Sequence, residues 1–131
     1  MNYNILTTSD NAYFPFLKIL INSIIKECDL SKINSIFVIN NGLSNTQIEY
    51  LTNKLDKIKL INTGNKTSIR TYENWTPWSK DWQTNVRSKT IQLYKLVEEL
   101  NEPIMLLDSD MMVMSDLFRL TLVEGGYTSM L

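Results

Sequence analysis

The sequence predicts an α/β fold in which a mostly parallel sheet is flanked by helices. Short apolar runs that are typical of strands alternate with longer segments whose apolar residues recur at the helical period. The order is strand, helix, strand, helix, strand, long loop, helix and strand, and such alternation is characteristic of parallel sheets. The chain has 131 residues, of which 44% are hydrophobic, so it is long enough to form one domain around one core.

The first half of the chain carries three of the expected strands and two of the expected helices. Pro15 suits a first helical turn, and Ser44 followed by Gln47 fits a capping box at the start of the second helix. Apolar periodicity and turn residues predict strands over about 3–7, 33–39 and 58–61, and helices over about 15–28 and 45–57.

The second half is expected to begin with an irregular, tryptophan-rich loop over about 63–84, followed by a third helix from Asn85 to Leu100. On this helix Lys89 and Arg87 are predicted to lie on the two flanks of the buried stripe, away from the solvent face. The buried stripe is predicted to hold Val86, Thr90, Leu93, Val97 and Leu100, and the outer stripe Ser88, Gln92, Lys95 and Glu99.

The most informative stretch runs from Ile104 to Met114, where apolar residues lie on both sides of Asp108 and Asp110. This run predicts a central strand that is buried on both faces. Side chains two apart on a strand share a side, so the two carboxylates would face the same point. Buried carboxylates without a partner are costly and repel each other. A divalent cation would remove this cost, and oxygen ligands favour Mg²⁺ or Mn²⁺.

A second polar cluster, Thr8-Ser9-Asp10-Asn11, directly follows the first predicted strand. Ligands of parallel sheets bind at the carboxyl ends of the strands, which makes this cluster a candidate binding site. The simpler interpretation is that Asp10 or Asn11 caps a turn or a helix, and the two interpretations are compatible.

Composition excludes several classes of function. The net charge of -1 gives no electrostatic reason to expect nucleic acid as a partner. The chain has no histidine, so it supplies no histidine base or metal ligand. Cys28 is the only cysteine, which excludes an internal disulfide and favours a reducing, cytoplasmic compartment. No apolar run is long enough to span a membrane.

The stretch Asp108-Ser109-Asp110 between apolar runs resembles the metal-binding Asp-x-Asp motif of GT-A-fold glycosyltransferases, which have a Rossmann-like sheet. The segments Ile5 to Tyr13 and Val38 to Ser44 are similar to the opening and the second strand of family 8 glycosyltransferases and related nucleotide-diphospho-sugar transferases. The resemblance covers about Asn2 to Leu120. Such enzymes are usually much longer, so the resemblance implies that residues 1–131 form a single nucleotide-sugar-binding domain that corresponds to the donor-binding half.

The resemblance implies metal-dependent transfer of a sugar from a nucleotide-diphosphate donor, with UDP as the expected nucleotide, to an unknown sugar, lipid or protein acceptor. Asp108 and Asp110 would bind Mn²⁺ or Mg²⁺, and Asp108 would also touch the ribose or the sugar. Lys89 or Arg87 would approach the diphosphate or the sugar. The implied base and ribose pocket consists of Thr8, Asp10, Asn11 and Tyr13.

Two other classes remain open at this level. One is a non-catalytic nucleotide-binding module. The other is a metal-dependent phosphotransfer domain of the receiver type, although Thr63-Gly64-Asn65 stands where receivers carry their acceptor aspartate. Whether it is an enzyme or a binding module, the chain is expected to associate with itself as a homo-oligomer, because a donor-binding half alone would leave apolar surface uncovered.

Overall fold

The computed structural model of the chain describes residues 2–64 and 80–122. Its four described strands are β1 (Tyr3–Ser9), β2 (Ile33–Asn40), β3 (Ile58–Asn62) and β4 (Ile104–Leu106). They form one sheet in the order β3-β2-β1-β4, and every pairing is parallel. The predicted α/β class is therefore confirmed.

Helices cover both faces of the sheet. They are α1 (Phe14–Glu27), α2 (Asn45–Lys54) and α3 (Lys80–Leu100), with short 3-10 segments at Leu30–Lys32 and Leu117–Leu122. Ile5 of β1 belongs to the core under α1 and α2, whereas its neighbour Leu6 packs with Leu96 of α3. None of the described helices is long and apolar enough to cross a membrane.

The strand order reverses direction between β1 and β4. The chain first builds outward from β1 through β2 to β3, and then returns to place β4 on the other side of β1. This is the first part of the 3-2-1-4-5-6 order of dinucleotide-binding sheets, and ligands bind where the order reverses. Receiver-type sheets have the order 2-1-3-4-5, so the described topology argues against the receiver alternative.

Local signals in the first half of the sequence are confirmed. The Ser44 hydroxyl accepts a hydrogen bond from the Gln47 amide at 3.2 Å, and the Gln47 side chain accepts one from the Ser44 amide at 3.0 Å, which completes the capping box. Element ends shift slightly, since β1 extends to Ser9 and α2 ends at Lys54. The predicted stripe of α1 is buried and consists of Leu17, Leu20, Ile21, Ile24 and Cys28.

The start and the rotation of α3 differ from the prediction. The helix begins at Lys80 rather than Asn85, because no glycine or proline follows Pro77 until Pro103 and extending a helix is easy once it has formed. Ser88, expected on the outer stripe, is buried, whereas Val97 is 56% exposed. Residues 65–79 of the loop predicted over about 63–84, and the end of the chain beyond 122, lie outside the described residues.

The predicted central strand at 104–114 is wrong. β4 has only three residues, all partly buried, and it lies at the edge of the described sheet. The chain turns after Leu107, where the Met111 amide donates to the Asp108 carbonyl at 3.2 Å. Beyond the turn, the amide of Val113 donates to the Ser23 hydroxyl of α1 at 2.9 Å. The continuous apolar run therefore combines a short strand with a segment that packs against a helix.

We expect Tyr3→Phe to leave the free energy of unfolding at pH 7 unchanged or to raise it by up to about 1 kcal/mol. The Tyr3 hydroxyl is buried, and its one polar contact among the described residues is a weak one with the Cys28 thiol that does not amount to a full hydrogen bond. Burial, with a smaller contribution from neighbouring Cys28, raises the pKa of Tyr3. Because the pKa of Tyr3 is higher in the folded than in the unfolded chain, the contribution of Tyr3 to the free energy of unfolding keeps its full value below the unfolded pKa of about 10. It falls as the pH rises above that value.

Between pH 7 and pH 10.5, the free energy of unfolding of the wild type should consequently fall by about 1 kcal/mol more than that of Tyr3→Phe, as measured by urea unfolding. Tyr94→Phe is the matched control, because Tyr94 is 69% exposed. Equal pH dependence of the wild type and Tyr3→Phe would contradict this expectation.

Candidate functional site

Polar side chains collect where the parallel strands end. The end of β1 supplies Thr8 and Asp10, the end of β2 is followed by Asn41, and β3 is followed by Thr63. The chain beyond β4 supplies Asp108. Since β1 and β4 flank the reversal of strand order, the ends of these two strands form the edge at which the fold class binds ligands.

The amide of Asn41 joins three strand ends to α3. Its nitrogen donates to the Ser88 hydroxyl at 2.8 Å and to the Thr8 hydroxyl at 3.2 Å. Its oxygen accepts a hydrogen bond from the Thr63 hydroxyl at 2.8 Å. Asn41 is fully buried, and a buried amide needs such partners because no water replaces them. This network explains why the polar Ser88 faces the sheet and sets the rotation of α3.

Two of the residues predicted to line the nucleotide pocket are buried in the protein. The Thr8 hydroxyl donates to the Ile39 carbonyl at 3.3 Å, in addition to its bond with Asn41. The Asp10 carboxylate accepts a hydrogen bond from the Tyr13 amide at 2.9 Å, just before α1 begins. The interpretation that Asp10 bonds backbone in a turn is therefore confirmed, although the N-cap of α1 is Tyr13 and no side chain caps it. The role of Asp10 toward a ligand stays a prediction.

The other two predicted pocket residues are more accessible. Asn11 is exposed, and its side-chain oxygen accepts a hydrogen bond from the Gln47 side chain at 2.7 Å, which connects it to α2. Tyr13 is partly buried, and its ring packs against that of Phe16 with 5.6 Å between the centroids. The two residues thus lie on the outer part of the β1–α1 connection.

The premise that Asp108 and Asp110 are buried is wrong. Both are exposed, and the side chain of Asp108 is 61% exposed. They belong to the turn after β4 rather than to a strand, so no desolvation penalty forces them to bind a cation. Ser109 between them is buried, so exposure still alternates along the motif.

Lys89 reaches the first of these carboxylates. Its ammonium nitrogen lies 2.9 Å from Oδ1 of Asp108, although the two residues are 19 positions apart in the sequence. The Lys89 side chain is only 23% exposed, which confirms the prediction that it avoids the solvent face of α3. The predicted buried stripe itself is wrong at Val86, Thr90 and Val97, which are exposed. The structure thus brings together two residues to which the resemblance gives roles near a donor diphosphate, and those roles stay predictions.

Arg87 lies elsewhere, and the prediction that it avoids the solvent face is wrong. It is exposed and borders a cavity of about 410 Å³ near the end of β3. The described residues that line this cavity are Asn62, Thr63, Thr84, Arg87, Ser88, Ile91, Gln92 and Lys95.

The acidic turn has the donor types that a hard cation prefers. Asp108 and Asp110 offer exposed carboxylate oxygens that water or a cation can approach, and Asp108 already holds a cation in the form of the Lys89 ammonium. Among the described residues, no group of three or more His, Cys, Asp or Glu side chains could hold a metal ion. The two carboxylates therefore fit a Mg²⁺ or Mn²⁺ ion only where a ligand or water completes the coordination.

Sequence reasoning missed Asn41 and Ser88 as parts of the site. Asn41 belongs to an Asn-Asn-Gly turn, for which the usual interpretation is local turn chemistry. Asn40 does have that local role, since its side-chain oxygen accepts hydrogen bonds from the amides of Gly42 and Leu43. The only sequence signal for the network is that two asparagines follow each other at the end of β2. Asn40 makes the local turn contacts, so Asn41 is left for another role.

Comparison with known proteins finds similarity in structure. No family model matches the sequence, and no curated protein matches it. The bifunctional glycosyltransferase WbbM matches with a TM-score of 0.59 and 22% identity over 93% of this chain and 21% of its own. S. aureus TarS 1-349 in complex with UDP matches with a TM-score of 0.52 and 14% identity over 91% of this chain and 30% of its own. The chain therefore spans less than a third of these proteins, and it shares the Rossmann-like fold of that part.

We expect Asn41→Ala to lower the free energy of unfolding by about 2–3 kcal/mol, because it leaves the buried hydroxyl groups of Thr8 and Ser88 and the partly buried hydroxyl of Thr63 with fewer partners. Equilibrium unfolding in urea measures this loss. Asn53→Ala is the control, since Asn53 is exposed on α2 and its replacement should change stability by less than about 0.5 kcal/mol. A similar small change for Asn41→Ala would show that the network does not stabilise the fold.

Proposed function

We propose that this chain is the donor-binding part of a glycosyltransferase that uses a uridine-diphosphate sugar together with Mn²⁺ or Mg²⁺. The fold that the chain shares with WbbM, a bifunctional glycosyltransferase, and with TarS, whose structure contains UDP, supports this proposal. Fold alone does not define chemistry, so the proposal depends on the residues at the strand ends.

The observation that carries the proposal is the contact between Lys89 and Asp108 beside the reversal of strand order. The Leu107 amide still pairs with the Leu6 carbonyl of β1 at 2.9 Å, so Asp108 follows directly on the last pairing between β4 and β1. A cationic and an anionic side chain therefore meet at the edge where sheets of this class bind nucleotides. A diphosphate bound through a metal needs both kinds of group.

The acidic turn is the proposed metal site. Asp108 and Asp110 would hold the ion through carboxylate oxygens, and the donor's phosphates would supply further oxygens. When bound, the ion supplies positive charge that stabilises the departing nucleoside diphosphate. Lys89 would add a second positive charge to the same leaving group.

The nucleoside is proposed to lie at the end of β1. Asn11 and Tyr13 are the accessible residues there and would contact the base and the ribose. Thr8 and Asp10, which are engaged in internal hydrogen bonds, would shape the wall of the pocket. Arg87 would act from the cavity near β3 rather than beside Lys89.

In the proposed reaction, the bond between the anomeric carbon and the diphosphate oxygen breaks, and its electron pair leaves with UDP. The oxygen of the acceptor hydroxyl forms the new bond to that carbon, and its proton passes to a base. The described residues have no assigned catalytic base, which makes a non-catalytic nucleotide-binding module the second candidate function.

The experiment is calorimetric titration of the chain with UDP, with and without Mn²⁺. We expect Mn²⁺ to tighten UDP binding by about tenfold or more, and Asp110→Ala to remove this gain. Asp56→Ala is the matched control, since it also removes an exposed carboxylate from a turn, and this turn is far in the sequence from Asp110. Binding of UDP that neither Mn²⁺ nor Asp110→Ala alters would refute the metal assignment.

Incubation with UDP-sugars separates the two candidate functions. Release of UDP, with or without a sugar acceptor, supports an enzyme. Metal-dependent binding of UDP without any release of UDP from UDP-sugars supports the non-catalytic module.

A further inference from the structure

The Lys89 ammonium would compete with a metal ion for the carboxylate of Asp108. It lies 2.9 Å from Oδ1 of the carboxylate, which is hydrogen-bond distance for a charged pair. A Mg²⁺ or Mn²⁺ ion bound to the same carboxylate would lie only about 2.0–2.2 Å from its oxygen. Two cations would then share one carboxylate at close range, and their repulsion opposes simultaneous binding.

The Lys89 ammonium can move away from the Asp108 carboxylate without any movement of α3. Ser88, the preceding residue, is fixed by the buried amide of Asn41, so α3 is held against the sheet. The Lys89 side chain has a flexible stem, and its carboxylate partner is 61% exposed. Exposed ion pairs contribute little to stability, so exchange of this partner is inexpensive.

We infer that Lys89 is a counter-ion that holds Asp108 until a donor arrives, and that it then moves to the diphosphate and frees the carboxylate for the metal. This inference rests on the proposed function. Lys89 thereby couples metal binding to nucleotide binding, because the metal competes with Lys89 in the absence of a diphosphate and does not compete in its presence. By linkage, the metal must strengthen nucleotide binding by the same factor.

The test is Lys89→Met, with Mn²⁺ binding followed through the electron paramagnetic resonance signal of the free ion. Without nucleotide, the variant should bind Mn²⁺ about three- to tenfold more tightly than the wild type, since the competing cation is gone. With Mn²⁺ present, the variant should bind UDP about tenfold more weakly, since a charged contact to the diphosphate is lost. The factor by which UDP tightens Mn²⁺ binding should fall accordingly.

Lys80→Met is the matched control, because it removes the same charge from an exposed position on the same helix, nine residues before Lys89. It should leave Mn²⁺ affinity without nucleotide within about a factor of two of the wild type. Lys89→Gln provides a second variant with the same expected direction of change, in case the methionine variant folds poorly.

Unchanged Mn²⁺ affinity in both Lys89 variants would overturn the inference, and so would tighter Mn²⁺ binding with unchanged UDP affinity. Either result, in a chain that binds UDP with Mn²⁺, leaves the proposed function standing. Absence of metal-dependent UDP binding in the wild type would instead refute the proposed function together with this inference.

Discussion

The buried amide of Asn41 is the constraint on which the site depends. An amide without water must find its hydrogen bonds within the protein, and here the partners of Asn41 come from the ends of the two strands that neighbour β2, which are β1 and β3, and from α3. This requirement fixes both the depth and the rotation of the helix over the carboxyl edge of the sheet. The uncharged hydrogen-bond network of Asn41 therefore positions the charged side chains of α3, Arg87 and Lys89.

One helix supplies cations to two parts of the same edge. Successive residues on a helix are rotated by about 100° around its axis. Because Ser88 faces the sheet, Arg87 and Lys89 on either side of it point in nearly opposite directions. Lys89 reaches the acidic turn beyond β4, and Arg87 reaches the cavity near β3. The divergence explains why the sequence offered two candidate cations and the structure places only one of them beside Asp108.

Much of the fold could be predicted because its signals are local. The capping box at Ser44 and the apolar stripe of α1 depend on residues within a few turns of one another. The rotation of α3 could not be predicted, because it depends on a contact of Asn41 with Ser88, 47 residues away. The predicted strand through Asp108 was wrong, since an apolar run does not reveal whether the chain continues as a strand or turns to pack on a helix.

The turn that carries Asp108 and Asp110 is anchored on both sides. Before it, Leu107 pairs with β1, and after it, Val113 is bonded to α1 and Asp116 accepts a hydrogen bond from the Asp29 amide. The conformational entropy of this segment is therefore lost when the chain folds rather than when a ligand binds. The backbone beneath the two exposed carboxylates is thus already ordered in the folded chain, and a cation at this turn would not have to order a loop.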